Sequence, residues 1–126
     1  MIPVYIAAPY GQTAWHTVGE NIRRADALAR HAVEQGYAPI VIHRAIAAGV
    51  YGDDFNAAER DRGIMAARSI AASVATAGGE LWLLHTPSGG VTFGCRMEVR
   101  AYLDARGNEV REFRMGDNFD VEELGA

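Results

Sequence analysis

Val4-Tyr5-Ile6-Ala7-Ala8-Pro9-Tyr10-Gly11 is a short apolar run shut off by a proline and a glycine. Its length, its β-branched residues and that stop predict a buried strand followed by a turn. Ala38-Pro39-Ile40-Val41-Ile42 and Leu81-Trp82-Leu83-Leu84 have the same character, and Val110-Arg111-Glu112-Phe113 reads as a shorter fourth strand. Pro39 fits only the start of its strand or a sheet edge. Helical spacing fills the intervals. Val18, Ile22, Ala25, Ala29 and Val33 recur at three and four and predict a helix over about residues 18–35, with Gly36 as its terminator. Asn56 followed by Glu59 resembles a capping box. It opens a second helix with Ile64, Ala67, Ala71 and Val74 as its buried face, stopped by Gly78-Gly79. A third helix is predicted over about residues 93–105. The connections are a polar loop around Trp15 and His16, an irregular loop over residues 43–54, and a Pro/Ser/Gly loop over residues 85–91.

Strands and helices therefore alternate, which predicts an α/β fold with parallel strands and right-handed crossovers. Solidly apolar strands fit a sheet covered on both faces. The expected arrangement is a doubly wound sheet of about four strands, order 2-1-3-4. The 126 residues suit one domain, and 49% hydrophobic with 22% charged residues excludes disorder. Residues 1–114 hold 12 arginines and 12 acidic side chains, with no lysine. A neutral body without a basic stripe argues against nucleic acid as partner. Lysine Schiff-base chemistry and a Walker A loop are excluded outright. The acidic excess is Asp117, Asp120, Glu122 and Glu123, so residues 115–126 read as an acidic tail, solvated or docked on a partner. No apolar stretch is long enough for a bilayer, and Met1-Ile2-Pro3 lacks the charged start of a signal peptide. With a single cysteine, Cys95, the expectation is a cytoplasmic protein with no membrane contact.

In a doubly wound sheet, ligands bind beyond the carboxyl ends of the strands where the strand order reverses. That places residues 7–11, His43 and residues 85–94 around one cleft, with Ala7, Pro9, His43 and Ser88 as candidate substrate contacts. The dinucleotide fingerprint and the G-x-S-x-G elbow are absent. His16, His31, His43, His85 and Cys95 show no zinc spacing, so neither cofactor nor metal is expected. The informative stretch is Thr92-Phe93-Gly94-Cys95-Arg96-Met97-Glu98. A helix starting near Thr92 points unpaired amides into the cleft, a site for an anion. Glu98 lies one turn beyond Gly94 on the same face and leans back over it. A carboxylate then faces open space, and the helix dipole is expected to help keep it ionised, as suits a nucleophile. The plainer reading is a surface glutamate paired with Arg96 or Arg100. Tyr5 is either a core aromatic or a cleft residue, and Cys95 either a thiol of lowered pKa or a packing thiol. His43 reads as a loop or cap residue as readily as a cleft residue. Asp53 and Asp54 read first as turn residues, and Ser88 as part of a flexible loop.

Taken in order, residues 4–10, Asn21 with Ala25, residues 33–40 leading to His43, residues 59–65, Glu80-Leu81-Trp82 and Thr92-x-Gly94-x-x-x-Glu98 resemble the nucleoside 2-deoxyribosyltransferase-like superfamily, in particular a short phage and bacterial branch. The resemblance implies a flavodoxin-like fold and a homodimer or larger homo-oligomer. It implies a hydrolase or transferase that cleaves the N-glycosidic bond of a (deoxy)nucleoside or nucleoside 5′-monophosphate. Glu98 matches the nucleophile, Tyr5 the tyrosine that holds it, and Thr92, with Gly94, the phosphate- or sugar-binding turn. The chain departs from that pattern. Residues 66–72 lack the aspartate that assists the departing base, and Gly79 stands where an aspartate often precedes the third strand. His43, Asp53 and Asp54 are the remaining candidates for the acid. Loss of the helical aspartate equally fits a nucleotide-binding module of the same fold without catalysis.

Overall fold

A computed structural model describes residues 1–11 and 17–125; the loop expected around Trp15 and His16 lies outside the described residues. The strands are β1 (Ile2–Ala7), β2 (Tyr37–Ile40), β3 (Glu80–Leu84), β4 (Val110–Met115) and β5 (Val121–Leu124). The helices are α1 (Val18–Glu34), α2 (His43–Ala47), α3 (Ala57–Thr76) and α4 (Phe93–Asp104). All strands belong to one sheet in the order β2-β1-β3-β4-β5. The first four are parallel neighbours, as expected, and β5 runs antiparallel to β4.

Side chains of β1 and β3 alternate between two cores, the signature of a sheet covered on both faces. Val4, Ile6, Trp82 and Leu84 pack with Ala25, Leu28 and Ala32 of α1. Tyr5, Ala7, Leu81 and Leu83 pack with Ala67, Ala71 and Val74 of α3 and with Cys95 and Tyr102 of α4. Helix starts follow the sequence signals. The Asn56 side chain accepts from the Ala58 and Glu59 amides, and the Thr92 hydroxyl accepts from the Cys95 amide at 3.3 Å.

Four expectations need correction. The sheet has five strands, because residues 121–124 of the expected tail form β5. The cause is charge pairing across the hairpin. Arg111 grips Glu123 through two hydrogen bonds of 2.8 and 2.7 Å, and Arg114 reaches Glu122 at 3.3 Å. The same Arg111 guanidinium lies over the Trp82 ring, 4.6 Å from its centre. Second, the segment after β2 is not wholly irregular, since residues 43–47 form a short helix. Third, α1 buries Asn21, Ala25, Leu28 and Ala32, a stripe rotated from the expected one, and Val33 is 53% exposed. Fourth, Ile64 is not on the buried face of α3; it turns to a cavity. Among the described residues no helix is long and apolar enough to cross a membrane.

Gly79, where the resemblance would place an aspartate, is fixed by close packing. A Cβ there would overlap the Pro3 carbonyl oxygen and the Val74 side chain. The close approach of the α3–β3 turn to β1 excludes an aspartate at this position.

Candidate functional site

The segments following β1, β2 and β3 meet the first half of α3 and enclose a cavity of about 360 Å³. That is at the small end of the roughly 300–1,000 Å³ usual for ligand sites. Its floor is Ala8, Cys95 and Glu98, its far wall is Gly63, Ile64 and Ala67 of α3, and Thr92 and Gly94 stand at the α4 start. Tyr10, Asp54 and Arg60 complete the polar and aromatic lining.

The central contact joins two residues 93 positions apart in sequence. The Tyr5 hydroxyl donates to Glu98 Oε1 at 2.9 Å. Tyr5 is fully buried in the middle of the sheet, and its position on the α3/α4 side follows from strand alternation. Glu98 reaches it because α4 lies across the end of β1 and β3. Glu98 Oε2 is buried and has no hydrogen-bond partner among the described residues. A half-satisfied carboxylate at a cavity wall is unusual in a protein interior, and a ligand donor or an electrophile would complete it. No cation among the described residues pairs with it: Arg100 turns to Asp104 at 4.0 Å instead. The surface-glutamate reading is thereby set aside.

Burial pushes the Glu98 carboxyl up to about 7, against the downward pull of the Tyr5 hydrogen bond. The helix dipole expected to keep it ionised does not prevail. Glu98 lies beyond the first turn of α4, where that field has largely died away. Burial first, then the neighbouring Glu98 charge, pushes the Tyr5 phenol far up, so it stays a donor. Cys95 is pushed up to about 12 by burial and by Glu98, against the Thr92 hydrogen bond, so it is a packing thiol.

Thr92 and Gly94 are where the sequence put them. The Thr92 oxygen caps α4, and a Cβ on Gly94 would meet nothing within 4 Å, so the space above the helix start is open. The other candidates stand apart. Ala7 is fully buried in the core behind the cavity. Pro9 is buried, and its carbonyl accepts from His43. The His43 ring is 2% exposed; its Nε2 lies 2.9 Å from the Ala8 carbonyl and 3.1 Å from that of Pro9. That nitrogen therefore carries the proton, and burial holds the ring's pKa below the usual histidine range. His43 fastens the turn after β1 and stays out of the cavity lining. Ser88 is exposed in the loop over residues 86–90, with Thr86 Oγ1 3.1 Å from its hydroxyl, and it too is outside the lining.

Tyr10 falls within residues 7–11, expected around the cleft, and Asp54 was one of the candidate acids, whereas Arg60 was not selected from sequence. Arg60 follows the α3 cap by one turn and makes no ion pair among the described residues. Burial, then the Asp54 charge, pushes the Tyr10 phenol up. No local pattern announces that the three meet. They meet because α3 leans over the strand ends, a tertiary fact.

The chain thus has the form of a doubly wound α/β protein with an acid–phenol pair at the carboxyl end of its sheet. It belongs to the family described as Domain of unknown function (DUF7768), whose model matches residues 2–112. No curated protein and no solved structure matches it.

Proposed function

We propose that this protein is an N-glycosidase or 2-deoxyribosyltransferase of flavodoxin-like fold, acting in the cytoplasm on a (deoxy)nucleoside or nucleoside 5′-monophosphate. The observation that carries the reading is the Tyr5–Glu98 hydrogen bond of 2.9 Å at the edge of a ligand-sized cavity. A Glu98 oxygen bonds to the anomeric carbon while the C1′–N bond breaks and the base leaves with the electron pair. Water, or a second base, then displaces Glu98 and regenerates its carboxylate. A pKa near 7 leaves about half of the carboxyl ionised at neutral pH, enough to react, and strengthens it as a nucleophile while the carboxylate stays weak enough a base to be displaced afterwards. The α4 start and Arg60 offer an anion two partners within one cavity, which favours a 5′-monophosphate. A second copy of the chain is part of the same reading. Phe55 and Phe93, each next in sequence to a lining residue, are 99% and 77% exposed, and a partner would cover them.

The wall of α3 facing the cavity is Gly63, Ile64 and Ala67, without a carboxylate. This favours a second reading, a nucleotide-binding module that does not turn over. One experiment separates the two. The protein is incubated with a panel of deoxynucleosides and their 5′-monophosphates while free base is followed by chromatography and melting temperature is recorded. Base release that disappears in Glu98→Ala supports catalysis. Thermal stabilisation without base release, retained in Glu98→Gln, supports the binding module. Full activity in Glu98→Ala ends the mechanism.

A further inference from the structure

We propose that Asp54 is the catalytic acid that protonates the departing base. This rests on the N-glycosidase reading of the same cavity. Breaking the C1′–N bond leaves an electron pair on a ring nitrogen, and a proton must arrive there unless the base leaves unaided. The superfamily pattern would supply it from the second long helix, and here α3 lines the cavity with Arg60, Gly63, Ile64 and Ala67, without a carboxyl.

Geometry separates the three remaining groups. His43 has its N–H committed to the Ala8 and Pro9 carbonyls, and its ring is outside the lining. Asp53 is committed too: its Oδ1 accepts from the Phe55 amide at 2.9 Å, and it is exposed away from the cavity. Asp54 alone of the three lines the cavity. Tyr10 lines the same cavity, the one aromatic ring among its described lining residues and the natural platform for a planar base. A base lying on that ring presents its edge to Asp54 while its sugar reaches Glu98.

The loop that carries Asp54 is also held in place. Gly52 has φ of +104°, and a Cβ there would sit 2.8 Å from Glu59 Cβ, so the loop lies flush on α3. On either side of Asp54 the chain is pinned again, because the Asp53 carbonyl accepts from the Asn56 amide at 3.0 Å. A catalytic acid needs such fixed placement more than it needs strength. In the step itself Glu98 Oε bonds to C1′, the C1′–N pair goes to the base, and the proton of the Asp54 carboxylic acid goes to the base nitrogen. Asp54 is left as carboxylate and, in the second step, takes the proton of the water or incoming base that displaces Glu98, which restores the starting state.

The test compares two leaving groups. Wild type, Asp54→Asn and the control Asp53→Asn are assayed on 2′-deoxyguanosine 5′-monophosphate and on its N7-methylated form. The methylated base is cationic and leaves as a neutral molecule, so it needs no proton. Asp54→Asn is expected to lose about 10²–10⁴-fold on guanine and less than about tenfold on 7-methylguanine, with Asp53→Asn close to wild type on both. The methylated substrate shows at once whether the variant is folded, and Asp54→Ser repeats the comparison with a shorter side chain. Equal losses on the two substrates, or none, overturn the role of Asp54 while wild-type cleavage leaves the N-glycosidase reading standing. Wild-type protein that releases neither base here and none from the full panel overturns both.

Discussion

Glu98 is held in a state that costs the fold something. Its carboxyl titrates near 7 in the native protein and near 4.5 when the chain is unfolded. Below the lower value both states are protonated and the difference has no effect. As pH rises through this window the unfolded chain loses its proton first, so stability falls and the loss is complete above about pH 7. Glu98→Gln is therefore expected to melt higher than wild type at pH 8, by up to about 3 kcal/mol, and to converge with it near pH 4.5. A melting series across pH reads this directly. The Tyr5 hydroxyl pulls the other way by favouring the ionised form. Tyr5→Phe is expected to shift the acidic limb of the kcat/KM profile upward from about 7 and to lower the plateau about 10- to 100-fold. A limb that stays in place would separate the phenol from the carboxylate. Tyr5 and Glu98 were legible in the sequence as strand and helix positions at the same end of a sheet. Their contact was expected only through the superfamily resemblance, because no local rule links residues 93 apart. The titration near 7 was missed for a related reason: burial is set by neighbours that only the folded chain supplies.

At the scale of elements, the strands and helices were readable wherever apolar spacing was dense. β1 and β3 are hydrophobic on both faces, and the caps Asn56 and Thr92 stand where the sequence marks them. Thr92→Ala removes the α4 cap and is expected to cost about 1 kcal/mol, a drop in melting temperature that calorimetry would register. Thr92→Ser, which keeps the oxygen, should restore most of it. Gly79→Ala tests the close turn. Its added methyl has only the Pro3 carbonyl and Val74 to push against, so a loss of about 1–3 kcal/mol is expected. Reading failed where a strand rests on charge. Val121 and Leu124 are too few apolar residues to announce β5, and four carboxylates nearby look like solvated chain. The arginines that hold them, Arg111 and Arg114, belong to a different strand.

For the whole molecule, that hairpin decides what the sheet shows to other chains. β5 occupies the edge of β4, and its acidic side chains discourage further pairing. Removal of residues 116–126 is expected to lower the melting temperature and to produce large particles in light scattering, because it bares the β4 edge. Should the truncated chain stay at the size of the intact one, the hairpin is dispensable. The intact chain is expected to scatter as a dimer, twice 13.6 kDa, with contacts around Phe55 and Phe93. Phe93→Ser should then shift it toward the monomer. The alternation that predicted two covered faces was enough to place the cavity at one end of the molecule. The lean of α3, which brings Arg60 and Asp54 over that end, comes from packing between helices and has no signature in either one.

The chain's lone sulfhydryl offers a practical return. Cys95 is 2% exposed, and its pKa of about 12 leaves almost no thiolate at neutral pH. An alkylating dye can reach it only when the surrounding shell opens, so labelling speed becomes a clock for breathing of the cavity floor. A tightly held nucleotide should slow that clock.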